Sequence, residues 1–293
     1  MLMALTLGVL FFAYGVRTAS MKFAQSGRVS TLRQSLVFIT LFSALQVVLL
    51  LLTPPYQSLA VDVKFLIYPL GFAVFYSIGY ILLLMALSEG PASVTNTILS
   101  FNTLVVVAFG IVVWREAVSL WKVVGLTLFV IGLLFYNKGS YSVGGVVQKI
   151  RPKWLVHTLG AMLLNGVAVI FTKLSMQQYP MLGKQYLIYY GLFGVAIGVV
   201  LILACARSEA KPLIRDRKFL LHTLAAAAAF DVSNYIFVTL INRFSTILFM
   251  PLCSVLNMLS ILTFGRVVLK ERISKSALIS SALCLVAIVL LNF

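Results

Sequence analysis

Residues 102–116 read NTLVVVAFGIVVWRE, and residues 257–271 read NMLSILTFGRVVLKE. At an offset of 155, Asn102 falls on Asn257, Leu104 on Leu259, Phe109-Gly110 on Phe264-Gly265, Val112-Val113 on Val267-Val268 and Glu116 on Glu271. The same offset carries Ser119 onto Ser274 and Asn137 onto Asn292. Nearer the start of each half the offset is 151, where Gly15-Val16 meets Gly166-Val167, Lys22 meets Lys173 and Gln34 meets Gln185. The change of four residues falls in a loop. A duplicated chain of this kind is read as two related structural units.

Outward from the repeat, the chain is too apolar for a water-soluble domain. Of its 293 residues 61% are hydrophobic and 10% charged, and the mean hydropathy is +1.07. Apolar runs lie near 2–20, 34–53, 65–87, 92–113, 119–136, 155–176, 185–206, 219–241, 246–268 and 276–292. Each approaches the roughly 20 residues that cross a bilayer core as a helix. A barrel would show alternating segments of about ten residues instead. Breaks such as Thr53-Pro54-Pro55, Glu89-Gly90-Pro91 and Lys270-Glu271-Arg272 carry turn chemistry or charge. The expectation is an all-α membrane protein of ten transmembrane helices, with a first repeat at 1–138, a cytoplasmic linker at 139–153 and a second repeat at 154–293. Five spans per half is an odd number, so the second unit sits upside down relative to the first. Such inverted repeats bind solute near the midplane between the halves.

Charge sets the orientation. The net charge is +16, but the basic residues sit in short loops and not in one nucleic-acid-binding face. Sixteen of the 23 Lys and Arg residues fall in the loops after spans 1, 3, 5, 7 and 9, and six fall on the opposite side. Those odd-numbered loops are therefore placed in the cytoplasm, with both termini outside a plasma (inner) membrane. The N-terminal run lacks a preceding basic segment, and Arg17 and Lys22 follow it, which reads as a retained span. Cys205, Cys253 and Cys284 lie in apolar runs without ligand or disulfide spacing, so no metal and no cofactor are expected.

Polar groups deep in a span are costly and point to function or to helix contacts. Asp231 is the only carboxylate well inside a span, suited to proton coupling or to a cationic solute; its structural alternative is a hydrogen-bonded packing residue. Asn234, three residues on, shares roughly the same face. The repeat pairs Tyr76 with Asp231, Tyr14 with Asn165 and Asn102 with Asn257 at similar depth. Tyr80 joins Tyr76 and Tyr14 as a ring that can stack on a solute. The asparagines serve equally as interhelical links and the tyrosines as packing. Glu116 and Glu271 are assigned to capping the helix that follows each, and Arg17 and Lys173 to snorkelling at span ends. Gly8, Gly15, Gly191, Gly194 and Gly198 read as close helix contacts. HExxH, GxSxG and P-loop motifs are missing, so neither an enzyme nor an ATP-driven pump is expected.

Ala86-Leu87-Ser88-Glu89-Gly90-Pro91-Ala92-Ser93, then a span, then Arg115-Glu116 and a span with Gly125 and Gly132, resembles the EamA type of the drug/metabolite transporter superfamily. Lys270-Glu271 stands at the equivalent turn of the second copy, with Ser280 and Ala287 in place of the glycines. A proline frequent midway along span 4 of that family is replaced by Ser100-Phe101-Asn102-Thr103, while span 9 keeps Pro251. The orientation is also opposite to the family's habit of inside termini. The resemblance implies a central cavity and passage of small metabolites or drug-like solutes. With no P-loop the drive is an ion gradient or exchange, and Asp231 makes protons the economical ion. Spans 1, 3, 4, 6, 8 and 9 would move about the cavity, with 5 and 10 as scaffold. The expected partners are a small-molecule solute, membrane lipids and protons, with oligomeric state left between monomer and homodimer. The alternative from another class is a non-transporting membrane protein such as a lipid scramblase or an assembly subunit.

Overall fold

The computed structural model describes residues 2–25, 29, 31–54, 58–89, 95, 98–99, 101–136, 152–205, 212–268, 275–291 and 293. Among them the chain forms ten α-helices and no strand. They are α1 Leu2–Gln25, α2 Leu32–Leu52, α3 Ile67–Glu89, α4 Asn102–Val112, α5 Leu120–Tyr136, α6 Pro152–Gln178, α7 Gly183–Cys205, α8 Arg217–Leu240, α9 Thr246–Val267 and α10 Lys275–Leu291. A single 3-10 turn, Val63–Leu66, leads into α3. Lys270-Glu271 and most of the expected 139–153 linker lie outside the described residues.

Hydrocarbon supplies no hydrogen-bond partners, so a helix, which satisfies its own backbone, is the form these apolar runs take. Among the described residues six stretches are long and apolar enough to cross a membrane: Leu32–Leu52, Val63–Leu83, Pro152–Gln178, Gly183–Cys205, Arg217–Leu240 and Thr246–Val267. Asn102–Val112, Leu120–Gly132 and Ser281–Leu291 are shorter apolar helices. The helix ends follow local chemistry. Thr31 and Gln34 form a reciprocal capping box at the start of α2, with the Gln34 N–H donating to Thr31 Oγ1 at 3.2 Å. Asp216 caps α8 by accepting from the Lys218 and Phe219 N–H groups at 2.9 and 3.1 Å. Pro152 opens α6, where a missing N–H costs nothing.

Most of the helix packing follows one pattern, with the α9–α10, α7–α8 and α6–α8 contacts outside it. α3 lies along α6, and α1 along α8; α4 meets α6, and α1 meets α9; α3 meets α7, and α2 meets α8. α2 packs on α7, α4 on α9 and α5 on α10. Adding five to each helix number turns every contact of the pattern into another of its contacts or into itself. Gly15 of α1 lies so close to the Phe264 ring of α9 that no Cβ fits, and Gly166 of α6 approaches Val105 of α4 in the same way. These two glycines are the ones aligned by the repeat offset. Gly8, by contrast, faces open space and is not a contact glycine.

Glu116 caps a helix, but not the one that follows it. The left-handed backbone of Arg115 (φ 52°) reverses the chain after α4. The Glu116 carboxylate then accepts from the Thr246 and Ile247 N–H groups at 2.9 and 3.1 Å, and from the Thr246 hydroxyl, at the start of α9. It also pairs with Lys173 of α6 at 3.1 Å. That ammonium is 5% exposed and stands 4.6 Å from the centre of the Trp114 ring, so Lys173 is a buried partner and not a snorkelling one. One carboxylate therefore ties the α4–α5 turn to two helices of the other half.

Glu116→Ala would leave the Lys173 ammonium buried without its carboxylate, a defect worth about 3 kcal/mol in comparable pairs. A fall of about 5–10 °C in apparent Tm is expected on heating the purified protein in detergent. Burial pushes the Glu116 carboxyl up, but the hydrogen bonds from Thr246, Ile247 and Lys173 outweigh it and hold the group below its ordinary value. A depressed carboxyl contributes stability at pH above its unfolded value and loses it as pH falls through the folded one. The wild type should thus melt progressively earlier on acidification, and Glu116→Gln should flatten that limb. Equal acid limbs in both proteins would remove the assignment.

Candidate functional site

The polar residues of seven helices meet in one central cavity of about 290 Å³. α1 supplies Tyr14 and Arg17, α3 supplies Tyr76, and α4 supplies Asn102 and Thr103. α6 adds Asn165 and Thr172, α7 adds Tyr186 and Tyr190, α8 adds Asn234, and α9 adds Cys253, Ser254 and Asn257. Among the described residues none of α5 or α10 reaches it, and α7, which the sequence reading left out of the moving bundle, does. The amides of Asn165 and Asn234 each donate to a backbone carbonyl one turn back, Ala161 at 2.8 Å and Phe230 at 3.1 Å, which fixes them on their helix surfaces. Thr103 and Ser254 join α4 to α9 with a hydroxyl pair at 2.8 Å. Pro251, in the second turn of α9, removes one backbone donor beside the lining residues Met250 and Cys253.

Arg17 is the charged residue of this cavity, and sequence reading set it aside. The apolar run stops near residue 20, which made Arg17 look terminal, but α1 continues through Lys22 to Gln25 and leaves Arg17 well inside. Its Nη2 donates to Asn257 Oδ1 at 3.1 Å. Its guanidinium carbon lies 5.0 Å from the centre of the Tyr14 ring and 5.6 Å from that of Phe230. Among the described residues no carboxylate pairs with it. Tyr190 and Tyr186 were missed for a different reason. α7 is apolar on all sides, and nothing in its composition marks which tyrosine faces inward.

Asp231 stands outside the cavity. Three residues turn a helix through about 300°, so Asp231 and Asn234 sit about 60° apart around α8 and not on one line. Asn234 faces the cavity; Asp231 faces α2, where Gln46 Nε2 donates to its Oδ1 at 3.3 Å. The same nitrogen lies 3.4 Å from the Tyr190 hydroxyl, which lines the cavity. Asp231 Oδ2 is buried with no hydrogen-bond partner among the described residues. Asp231 also lines a separate side pocket of about 290 Å³ with Lys184, Thr53 and Tyr235. The repeat pairing of Tyr76 with Asp231 is therefore shifted. Phe72 and Tyr76 line the cavity from α3, as Phe230 and Asn234 do from α8.

Tyr80 lines a smaller pocket of about 60 Å³, beside Met21, Leu36 and Leu201. Phe72, Tyr76, Tyr190 and Phe230 line both that pocket and the central cavity, so four aromatic side chains form the wall between them. The rings of Phe72 and Tyr76 are stacked at 5.3 Å, and Tyr190 leans on Phe72 at 4.8 Å. Among the described residues no cluster of His, Cys, Asp and Glu has the makings of a metal site.

Residues 1–138 match the EamA-like transporter family, a family of the drug/metabolite transporter superfamily. With its apolar helices, that makes it a multi-pass membrane protein. Among 29 matching chains of solved structures, one described as "Crystal structure of protein" superposes with a TM-score of 0.74. The match covers 98% of this chain and 94% of that one at 14% identity, and it shows a shared fold alone. No curated protein matches the sequence.

Cys253, beside Tyr14 in the cavity wall, offers a direct probe of the field there. In a Cys205→Ser, Cys284→Ser background, Cys253 should react with small methanethiosulfonates. The ratio of anionic to cationic reagent rates should fall about tenfold when Arg17 becomes Gln, as expected for one charge acting in a low-dielectric cleft. A ratio that does not change would mean that Arg17 does not set the potential in the cavity.

Proposed function

We propose, from the family of the first half as premise, that the chain is a secondary-active transporter of a small organic solute that works by alternating access about the central cavity. The observation that carries this is the cavity itself: amides, hydroxyls and one guanidinium gathered between the two halves of the bundle. The five-on correspondence of helix contacts supports a second EamA-like unit at 154–293. With it come ten spans and an inverted repeat, because each unit has an odd number of helices. The Lys and Arg bias supports cytoplasmic odd-numbered loops and external termini in the plasma membrane. Scrambling of lipid would call for a polar groove open to the bilayer. The site residues Tyr14, Tyr76, Asn102, Asn165, Asn234 and Asn257 instead gather inside the bundle.

Asp231 is assigned to coupling and not to solute contact. As a carboxylate it accepts from Gln46, whose amide also reaches toward Tyr190. Protonated on its unpartnered Oδ2, it keeps Oδ1 as an acceptor but loses its charge, which weakens its hold on the Gln46 amide and frees that nitrogen toward Tyr190. Proton arrival is thereby felt at the aromatic wall of the cavity.

The test is uptake by proteoliposomes loaded with a pH-sensitive dye and challenged with amino acids, nucleosides, sugars, organic cations and organic acids. A solute that drives proton movement above the protein-free background is expected. Asp231→Asn should bring the accumulation ratio of that solute down to about one while exchange stays within about twofold. Full accumulation in Asp231→Asn would remove the coupling role, and no protein-dependent flux with any class would remove the transport reading.

A further inference from the structure

We infer that the central cavity is built for a small organic monoanion, a carboxylate on a flat apolar body, with Arg17 as the residue that binds the anion; this rests on the transport reading above. Arg17 is the sole charged side chain in the cavity lining among the described residues. The neighbouring cations are engaged elsewhere. Lys173 is paired with Glu116, and Lys184 donates to the Thr53 carbonyl beside the side pocket. A guanidinium inside a helix bundle with no carboxylate in its own cavity carries a large desolvation cost, which an anionic ligand would offset.

The geometry favours a carboxylate. Asn257 takes one Nη of Arg17, and the rings of Tyr14 and Phe230 hold the guanidinium plane. The remaining N–H donors form the rigid fork that meets two carboxylate oxygens at once. The stacked Phe72 and Tyr76, with Tyr190 against them, supply flat apolar faces for the rest of the molecule. A volume of about 290 Å³ sits at the lower end of ligand pockets, roughly 300–1,000 Å³. Cations are repelled by Arg17 and find no carboxylate in the wall.

The experiment compares phenylacetate, its neutral amide phenylacetamide and the cation phenethylamine by isothermal titration on the full chain in detergent. Phenylacetate should bind at least about tenfold more tightly than phenylacetamide, and phenethylamine should not bind, as expected for a desolvated charge pair. Arg17→Lys should keep the order of preference and Arg17→Gln should lose it. Because Arg17→Gln can also misfold, Asn257→Asp is the second variant. It sets a carboxylate beside Arg17 within the native contact, so it should retain or raise the Tm while weakening phenylacetate about tenfold or more. Binding of the amide or the amine as tight as that of the acid, or no binding of any of the three, would overturn the anion site. Selective binding of phenylacetate without its flux in proteoliposomes would overturn the transport reading and leave the anion site standing.

Discussion

A bilayer core offers nothing to hydrogen-bond with, and the rest of this structure follows from that shortage. Hydroxyls at helix surfaces turn back on their own backbone: Thr40 donates to the Leu36 carbonyl at 2.8 Å, Thr158 to Trp154 at 2.7 Å and Thr223 to Phe219 at 2.7 Å. The N-terminus of α9 is satisfied by a carboxylate from the opposite half. The side chains that cannot be satisfied within one helix collect where helices from both halves meet, and their meeting place is the cavity. Burial of polar groups thus serves the fold and the site at once. Removing one of them from the wall changes how the halves lie against each other as well as what the cavity can hold.

The duplication is close in packing and loose in chemistry. Gly15 and Gly166 admit their neighbours in equivalent places, and Asn102 and Asn257 both face the cavity. At the position equivalent to Arg17 the second half has Ala168, which is fully buried. Tyr76 of α3 answers Asn234 of α8. In the proposed transporter a two-fold frame would supply the hinge, since equal contacts on both sides allow two conformations of similar energy. In the same proposal the broken symmetry at the centre would supply the selectivity, because a single cation has no matching partner across the axis.

The helices and their order were legible because apolar length and turn chemistry survive in one dimension. Of the candidate residues, Tyr14, Tyr76, Asn102, Asn165, Asn234 and Asn257 come together in the cavity, while Tyr80 and Asp231 line other pockets. Depth along a span can be read from sequence; the angle around a helix is harder to read when the helix is apolar on every side, as α7 and α9 are. Arg17 was hidden by a boundary error. The run of apolar residues ends before the helix does, and a residue three short of an end differs greatly from one eight short. The partnership of Glu116 with α9 was hidden because it joins residues 130 apart, and no local pattern announces a cap donated from another helix.

Arg17 and Asp231 belong together even though they do not touch. Between them stand Gln46, which donates to Asp231, and Tyr190, which lines the cavity. On the proposed cycle, the empty centre holds a guanidinium and a carboxylate, and its net charge is zero. The loaded centre holds a guanidinium with a bound anion and a protonated carboxyl, and its net charge is again zero. Either form crosses the bilayer midplane without carrying net charge through low dielectric, which is the step that a lone buried charge would make slow. A half-loaded form, with the anion bound and Asp231 still ionised, would carry one uncompensated negative charge. With the proton bound and the cavity empty, it would carry one uncompensated positive charge. Both are penalised by the same desolvation, so on this cycle the fold would couple the two ligands without any direct contact between them.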